Sequence, residues 1–475
     1  MSHERTYRSN ANPHAPLSDA ELQKVVKAIF QLMRETGVKF DPEPKVMDIL
    51  SDAGCELSTK GIVKFPTELV RSCIDSVAKS VKIWNRPGTD CIEFSLPHTV
   101  FTTNLSAPNV VDIDTGERRP CTKEDLAMIS RVADALSEID GLEVWFKISE
   151  IDRFVAIAAN STKPQCAAFE DPLALQAAIE MAAAIRGGLD KLKEKPFFYV
   201  SVSGMPLYYC KNDLEQILML LENNVPIAVG TMGIGGASAP ITIAGNVVNC
   251  FASDFAGLVL SQLLKKGSFC MVGSTIAFMD PMTGNLGALN EFTLAEMVKC
   301  QIGRYLGLPL HFANAGISAG KEFNQETVLG TTVTMMAGIF SQATCCSWAG
   351  GIDGLQAFSL HVLLLCNELI GTARRMWKGV RVDDETLALD VTHKVGPAGD
   401  YLGEMHTAVH CRKEISRIKY FASKTFESWE QEGRKDLKDI IDQDLRNILA
   451  THKPEPLPDS LQDQLDVILK KYGAV

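Results

Sequence analysis

Val225-Pro-Ile-Ala-Val-Gly-Thr-Met-Gly-Ile-Gly-Gly236 opens the stretch on which the fold turns. A short β-branched run at 227–230 leads into a glycine-rich segment. Residues 244–264 then carry apolar side chains at helical spacing, and Phe269-Cys-Met-Val-Gly273 begins another apolar run. Strand, loop, helix, strand is the repeating unit of a parallel sheet, whose strands are buried on both faces and lack polar alternation. The same stretch needs a check against a membrane span, because no charged side chain occurs from Asn223 to Ser253. Pro226, Pro240 and the interspersed glycines and asparagines would break a continuous lipid-facing helix, so the reading is strand, loop and buried helix.

The unit repeats in both directions. Strand-like runs stand at 100–104, 142–148, 165–169, 197–202, 227–230, 269–273, 308–312 and 343–348. Helix-like segments separate them at 122–136 (capped by Thr122 and Asp125), 171–185, 213–221, 244–264, 291–305, 325–340 and 356–376; only 151–160 is weak as a helix. Eight strands alternating with crossover elements satisfy a closed (β/α)8 TIM-type barrel. An open doubly wound sheet fits the alternation too, and the count of eight favours the barrel. The expected α/β chain has three parts: an N-terminal helical cap at 1–95, the barrel at 96–378, and a C-terminal helical extension at 379–475. In the cap, Ser18-Asp-Ala-Glu21 is a capping box whose helix ends before Gly37; a second helix spans 43–53, and Pro66 opens a third. The extension turns at Gly396-Pro-Ala-Gly399 and either caps the barrel or mediates assembly.

With 475 residues, 46% hydrophobic and 22% charged, the chain has ample material for such a core and no disordered bias. A net charge of −11 without a basic stripe argues against nucleic acid and anionic membrane as partners. The 13 cysteines include no CxxC, and an odd count without framework spacing reads as free thiols in a reducing compartment. The N-terminus offers no apolar core for secretion, so the expected location is cytoplasmic.

Parallel barrels build their active sites from the loops after the strands. Strand ends give a candidate lining of Asn104, Trp145, Glu170, Ser203, Thr231, Ser274, His311, Ser318 and Trp348. Glu170 is the main charged member. Glycines crowd several of these loops, among them Gly233, Gly235, Gly316, Gly320 and Gly350, and a mouth lined by small residues would admit something large. The plainer alternative is that each glycine ends a strand. Cys345-Cys346 invites a zinc-thiolate reading, against buried thiols packed as small apolar groups. The run 230–236 lacks GxGxxG spacing, which weakens a dinucleotide reading. His406 and His410, one helical turn apart, could hold a metal, against a hydrogen-bonded structural pair. Trp145 and Trp348 are either packing or aromatic faces for an alkylammonium ion.

Three motifs resemble a known family. Ser106-Ala-Pro-Asn-Val-Val-Asp-Ile-Asp-Thr-Gly-Glu-Arg-Arg-Pro120 looks like its segment on the first barrel unit. Ala239-Pro-Ile-Thr-Ile-Ala-Gly245 with Ala256-Gly-Leu-Val-Leu-Ser-Gln262 is similar to its fifth unit. Gly396-Pro-Ala-Gly-Asp-Tyr-Leu-Gly403, with His406-Thr-Ala-Val-His410, Arg412 and Glu414, resembles its C-terminal signature. The family is the trimethylamine methyltransferase superfamily, whose members pass a methyl group from an amine to the Co(I) of a separate corrinoid protein. The resemblance implies that corrinoid (cobalamin) is supplied by a partner protein, with none tightly bound here. It also implies an amine substrate. Barrels with long helical extensions usually self-associate, so a homo-oligomer is expected. The five glycines named above would then give the corrinoid access, and no metal is expected in the chain itself. Archaeal members carry pyrrolysine after the seventh strand, whereas this chain has Ala315-Gly-Ile-Ser-Ala-Gly-Lys321 there; that is similar to betaine-type relatives and implies a quaternary amine. The chain departs from many relatives at Ala319-Gly320 and Cys346-Ser347. A zinc-thiolate methyltransferase and a non-catalytic binder of a quaternary amine or of the corrinoid protein remain alternatives.

Overall fold

The computed structural model describes residues 15–473 apart from 97, 104–106, 144–147, 287–288, 416–417 and 421–423. It is an α/β protein built on parallel sheets. We label its principal strands β1 (Val100–Thr103), β2 (Leu142–Glu143), β3 (Gln165–Ala167), β4 (Phe198–Gly204), β5 (Ile227–Gly235), β6 (Cys270–Val272), β7 (His311–Phe312) and β8 (Cys345–Ala349). β2, β3, β4, β5 and β6 pair in that order, all parallel. A single parallel bridge between Val272 and Leu310 leads on to β7, β7 pairs with β8, and β8 pairs with β1. A further bridge from Thr102 to Gly141 joins β1 to the start of β2, so the neighbour relations return to where they began.

Each crossover is helical. Thr122 and Asp125 close the expected capping box on the helix Lys123–Ala135. The weak segment after β2 is a full helix, Glu150–Asn160. Its Ile151, Phe154, Val155, Ile157 and Ala158 are buried, and tertiary burial supplies what propensity did not. The expected glycine-rich loop after residue 230 is a correction, because β5 runs straight through the glycines to Gly235. Its second half pairs with the parallel strand Thr275–Phe278, and Asn246 Nδ2 ties both by donating to the carbonyls of Gly233 and Ala277 at 3.1 and 3.2 Å.

The uncharged stretch is explained by what surrounds it. The helix Ile243–Leu264 is long and apolar enough to cross a bilayer, yet 78% of that window is buried. It lies between β5 and the N-terminal helices Asp19–Glu35 and Thr67–Ser76, so it has no solvent face to make polar. The capping box at Ser18 and Glu21 is present, and helices stand at Pro44–Asp52 and after Pro66. The N-terminal region is not only helical. The hairpin of Ser80–Trp84 and Cys91–Ser95 drives Ile83 and Phe94 between the strands, against Val100, Cys166, Tyr199, Ala228, Met271 and Cys345. Those side chains come from β1, β3, β4, β5, β6 and β8 and close the end at which the strands begin.

At the opposite end, the segment after β1 forms its own hairpin. Asn109–Val111 pairs antiparallel with Arg118–Pro120, and Asn109–Val111 runs parallel to Ala357–Phe358, which pairs with Gly351–Ile352 from the loop after β8. The C-terminal helices Leu437–Thr451 and Asp459–Lys471 wrap back along the outside. They seat Ile441, Leu445 and Leu465 in the core, and Lys471 and Tyr472 both hold Glu180.

Candidate active site

Four strands deliver a buried polar cluster above the apolar plug. Thr102 on β1, Glu143 on β2, His311 on β7 and Ser347 on β8 meet one another, and Trp348 follows on β8. Thr102 Oγ1 lies 3.2 Å from Glu143 Oε2 and 2.8 Å from Ser347 Oγ. Ser347 Oγ is 2.6 Å from His311 Nε2, and His311 Nε2 is 3.8 Å from Glu143 Oε2. The Trp348 indole N–H donates to Glu143 Oε1 at 3.2 Å.

Glu143 is buried, with 3% of its surface accessible. Burial by itself raises a carboxyl pKa. The hydrogen bond and charge of His311, with hydrogen bonds from Ser347 and Trp348, outweigh that and hold Glu143 below the usual carboxylate range. Glu143 is therefore held as the carboxylate in a low-dielectric interior, with the His311 imidazole as its charged partner. Among the described residues no lysine or arginine pairs with it. His311 and Trp348 retain slight solvent contact, at 8% and 9%.

Trp348 has φ +85°, a conformation that costs a bulky residue of order 1–3 kcal/mol. Its ring stands T-shaped to Phe292 and His311, with centroids 6.3 and 6.5 Å apart. A charged carboxylate, an aromatic wall and an imidazole around one point can hold a cation.

A second buried polar network lies on the helix side of β5 and β6. The Ser274 hydroxyl donates to Asp254 Oδ1, and the Thr231 amide donates to Ser274 Oγ at 3.0 Å. Lys299 Nζ donates to the Ser274 carbonyl and is 2.6 Å from Glu296 Oε2. The two Glu296 oxygens receive the amides of Ile276 and Ala313 at 3.2 and 2.8 Å, fixing the strand ends after β6 and β7. Burial pushes the Asp254 carboxyl up to about 7, against the Ser274 hydrogen bond and the Lys299 charge.

The expected lining divides accordingly. His311 and Trp348 meet in the first cluster, while Thr231 and Ser274 belong to the second. Ser318 is tied into its own loop, its Oγ accepting from the Gly320 amide at 3.0 Å and its amide donating to the Gly351 carbonyl at 3.2 Å. Ser203 is exposed at the end of β4. Glu170 is exposed beside Glu150 and is not in either network. Asn104 and Trp145 lie outside the described residues. The charged member of the cluster is thus Glu143, a residue that reading strand ends passed over. A carboxylate inside an otherwise apolar run was the available signal, as was Asp254, the lone charge in its helix.

The glycines read as an open mouth are also points of close packing. A Cβ on Gly233 would stand 2.4 Å from Asn246 Oδ1 and Cys250 Sγ, and one on Gly235 would meet the Phe278 ring at 2.5 Å. Gly316 packs on Met335 and Cys366, Gly320 on Thr327, and Gly350 on Phe358. Cys345 and Cys346 cannot share an ion, because successive strand residues face opposite ways. Cys345 joins the interior plug, whereas Cys346 Sγ faces Gly338 of the helix Gln325–Phe340. Burial pushes the Cys345 thiol up to about 12, which disfavours the thiolate that zinc binds. The rings of His406 and His410 stack at 4.4 Å, with His410 Nε2 3.3 Å from Glu385 Oε1.

Residues 1–473 match the family model described as trimethylamine methyltransferase (MTTB). The chain is 27% identical over 471 residues to the trimethylamine methyltransferase MttB of Desulfitobacterium hafniense (strain DSM 10664 / DCB-2), covering 96% of this chain and 94% of that one. It is 22% identical over 468 residues to the glycine betaine methyltransferase of Desulfitobacterium hafniense (strain Y51), covering 96% and 97%. Among solved structures it is similar to the monomethylamine methyltransferase MtmB of Methanosarcina barkeri, with a TM-score of 0.54, 14% identity, and 97% of this chain against 88% of that one. That likeness is one of fold.

Proposed function

Because the chain belongs to the trimethylamine methyltransferase (MTTB) family, we propose that this methyltransferase takes its methyl group from a quaternary amine of the betaine type. The acceptor is the Co(I) of a separate corrinoid protein. In the same reading the eight parallel strands close as a (β/α)8 barrel over 96–378. Residues 1–95 close its base, 379–475 form the extension, and the enzyme works as a homo-oligomer.

One observation supports the cationic donor above the others: the buried Glu143 carboxylate beside Trp348, whose charged partner among the described residues is the imidazole of His311 and not a lysine or arginine. A permanent ammonium supplies a fixed positive charge. Glu143 attracts it, the Trp348 ring offers a π-face to the N-methyl groups, and Thr102, Ser347 and His311 hold the carboxylate in place. The reaction asks little else of the chain. As the C–N bond breaks, its electron pair stays on nitrogen and leaves a neutral tertiary amine. The electron pair of Co(I) forms the Co–CH3 bond, so no proton is transferred and no general acid is required. The residues act by aligning the N–CH3 bond and excluding water. Positive charge leaves the nitrogen during transfer, so a single aromatic wall suits turnover better than a closed cage, which would hold the ground state back.

The test is a panel of quaternary amines with a Co(I) corrinoid protein, read as methyl-cobalt absorbance together with the demethylated amine. Methyl-cobalt formation from a betaine, and none from trimethylamine, is the expected result. Formation from trimethylamine alone would overturn the substrate class. Tight ammonium binding without transfer under strongly reducing conditions would make the protein a binder.

A further inference from the structure

Two hydroxyls join the imidazole of the cluster to its carboxylate. Ser347 Oγ lies 2.6 Å from His311 Nε2 and 2.8 Å from Thr102 Oγ1, and Thr102 Oγ1 lies 3.2 Å from Glu143 Oε2. A hydroxyl has one proton to donate and lone pairs with which to accept. With a proton on Nε2, the chain runs one way: Nε2–H donates to Ser347, Ser347 to Thr102, and Thr102 to the carboxylate. With Nε2 bare, Ser347 turns and donates to Nε2, while Thr102 still donates to Glu143. All four groups keep a partner in both states, so the chain tolerates the loss of a proton at His311 without a buried orphan.

Among the described residues, the neighbours of His311 cannot take over a proton exchange near neutrality. From β2 it faces Glu143, already held as the carboxylate. From β8 it faces Ser347 and Cys345, whose thiol is 3.6 Å from Ser347 Oγ and pushed up to about 12 by burial. Behind Cys345, 3.8 Å from its sulfur, stands Tyr199 of β4. Burial raises Tyr199 and Cys166 of β3 well above their ordinary values. The helix Leu289–Leu306 packs on β7 and pairs its Glu296 and Lys299 with each other at 2.6 Å. Histidine is the side chain that ordinarily changes charge between about pH 5 and 8, and His311 keeps slight contact with solvent.

Charge limits what the cluster can hold. Without a ligand, Glu143 has the His311 imidazole as its charged partner. A quaternary ammonium beside Glu143 brings a second positive charge to one buried carboxylate, and like charges in a low-dielectric interior repel. The ammonium has no proton to lose; the imidazolium has. We propose that the site takes its cation in exchange for a proton: entry of the ammonium expels the proton from His311, and His311 regains one when methyl transfer has left the nitrogen neutral. The cluster thus holds one carboxylate and one positive charge at each stage. At binding, an N–H bond of the imidazolium breaks, its electron pair stays on the ring nitrogen, and the proton passes to water. After transfer, water returns a proton to that nitrogen. No proton is consumed over the cycle, in keeping with a methyl transfer that needs no general acid. The exchange rests on the proposed ammonium site and gives His311 a role beyond holding the carboxylate.

The experiment is isothermal titration calorimetry of the full chain with glycine betaine and with tetramethylammonium. Buffers of different ionisation enthalpy at about pH 6.5 count the protons exchanged. Release approaching one proton per ammonium is expected, with none on binding the tert-butyl carboxylate analogue of betaine, whose quaternary centre is carbon. Because proton and cation compete, Kd should fall by up to about tenfold per pH unit as pH rises while His311 is protonated, and then level off. His311→Gln should abolish both the release and the slope. Asp254→Asn, which removes the buried carboxyl raised to about 7, should keep both. Ammonium binding with no proton released and a Kd flat between about pH 5.5 and 8 overturns the exchange and leaves the proposed function standing. Release that survives in H311Q, or disappears in D254N, overturns the assignment to His311. Should H311Q fail to fold, nitrogen NMR of the labelled rings of the nine histidines decides. One imidazolium signal should turn neutral as betaine is added, and imidazolium signals that all persist overturn the proposal. If neither ammonium binds, the proposed function fails and the exchange with it.

Discussion

Replacing Glu143 by glutamine removes one charge and almost no volume. The carbonyl oxygen of glutamine can still accept from the Trp348 indole N–H, now 3.2 Å from the carboxylate, so the indole should keep its place. What disappears is the buried negative charge. With an ammonium nitrogen ~5 Å away and an effective dielectric of ~20, the attraction lost is about 3 kcal/mol. That corresponds to roughly a 100-fold weaker Kd. The same substitution should shift stability by only ~1–2 kcal/mol, since one set of hydrogen bonds is exchanged for another. A pH signature accompanies it. The folded pKa of Glu143 lies below its ordinary value of 4.5. Its contribution is therefore present above that value and lost as pH falls through the folded pKa, so the variant should show a flatter acid limb. Calorimetry with a betaine and with its tert-butyl carboxylate analogue, an anion in which uncharged carbon replaces the ammonium nitrogen, separates the ammonium charge from shape. The reasoning fails if E143Q binds the betaine as wild type does, or if it loses the tert-butyl analogue equally.

Three further outcomes follow from the geometry. Trp348→Phe keeps a ring but loses the donor to Glu143; it should cost ~1–2 kcal/mol in thermal unfolding and raise KM more than it lowers kcat. Gly233→Ala should lower stability by ~1–3 kcal/mol, because its Cβ collides with Asn246 and Cys250; a fully stable variant with impaired methyl transfer would instead restore an access role for the glycine. Asp254, raised to about 7 by burial, contributes stability that is complete below its ordinary value and lost as pH rises towards 7. Asp254→Asn should therefore flatten the unfolding free energy between about pH 4 and 7, and a profile unchanged from wild type in urea melts would place the ionised form in the folded state throughout.

Much of the architecture was legible because burial writes itself into pattern. The helix at 325–340 coincides with its expected bounds, and each apolar run expected as a strand overlaps a parallel one. Two kinds of feature escaped. The hairpin at 80–95 has half-polar strands whose inward residues, Ile83 and Phe94, plug a space that exists only once the other strands are assembled. The site escaped for a related reason. Reading strand ends favours residues that point to solvent, whereas Thr102, Glu143 and Ser347 sit within strands and become a cluster only when β1, β2, β7 and β8 stand side by side. Glycines carry an ambiguity of another kind. Composition registers that a side chain is missing, but not whether solvent or a neighbouring helix fills its place.

The sheet of 109–120 and 351–358 has a mechanical consequence. It stitches the loop after the first strand to the loop after the last, and Asp353 adds ion pairs to Arg118 at 3.5 Å and Lys321 at 2.6 Å. The first, seventh and eighth units are thereby fastened as one rigid rim. If a bulky macrocycle is to approach the buried carboxylate, the yielding side must be the one across from that seam, where Met282 lies bare and the pairing of 232–235 with 275–278 ties the fifth unit to the sixth but not to the rim. Labels for motion during turnover belong there, and a disulfide bolted across the seam should leave catalysis untouched.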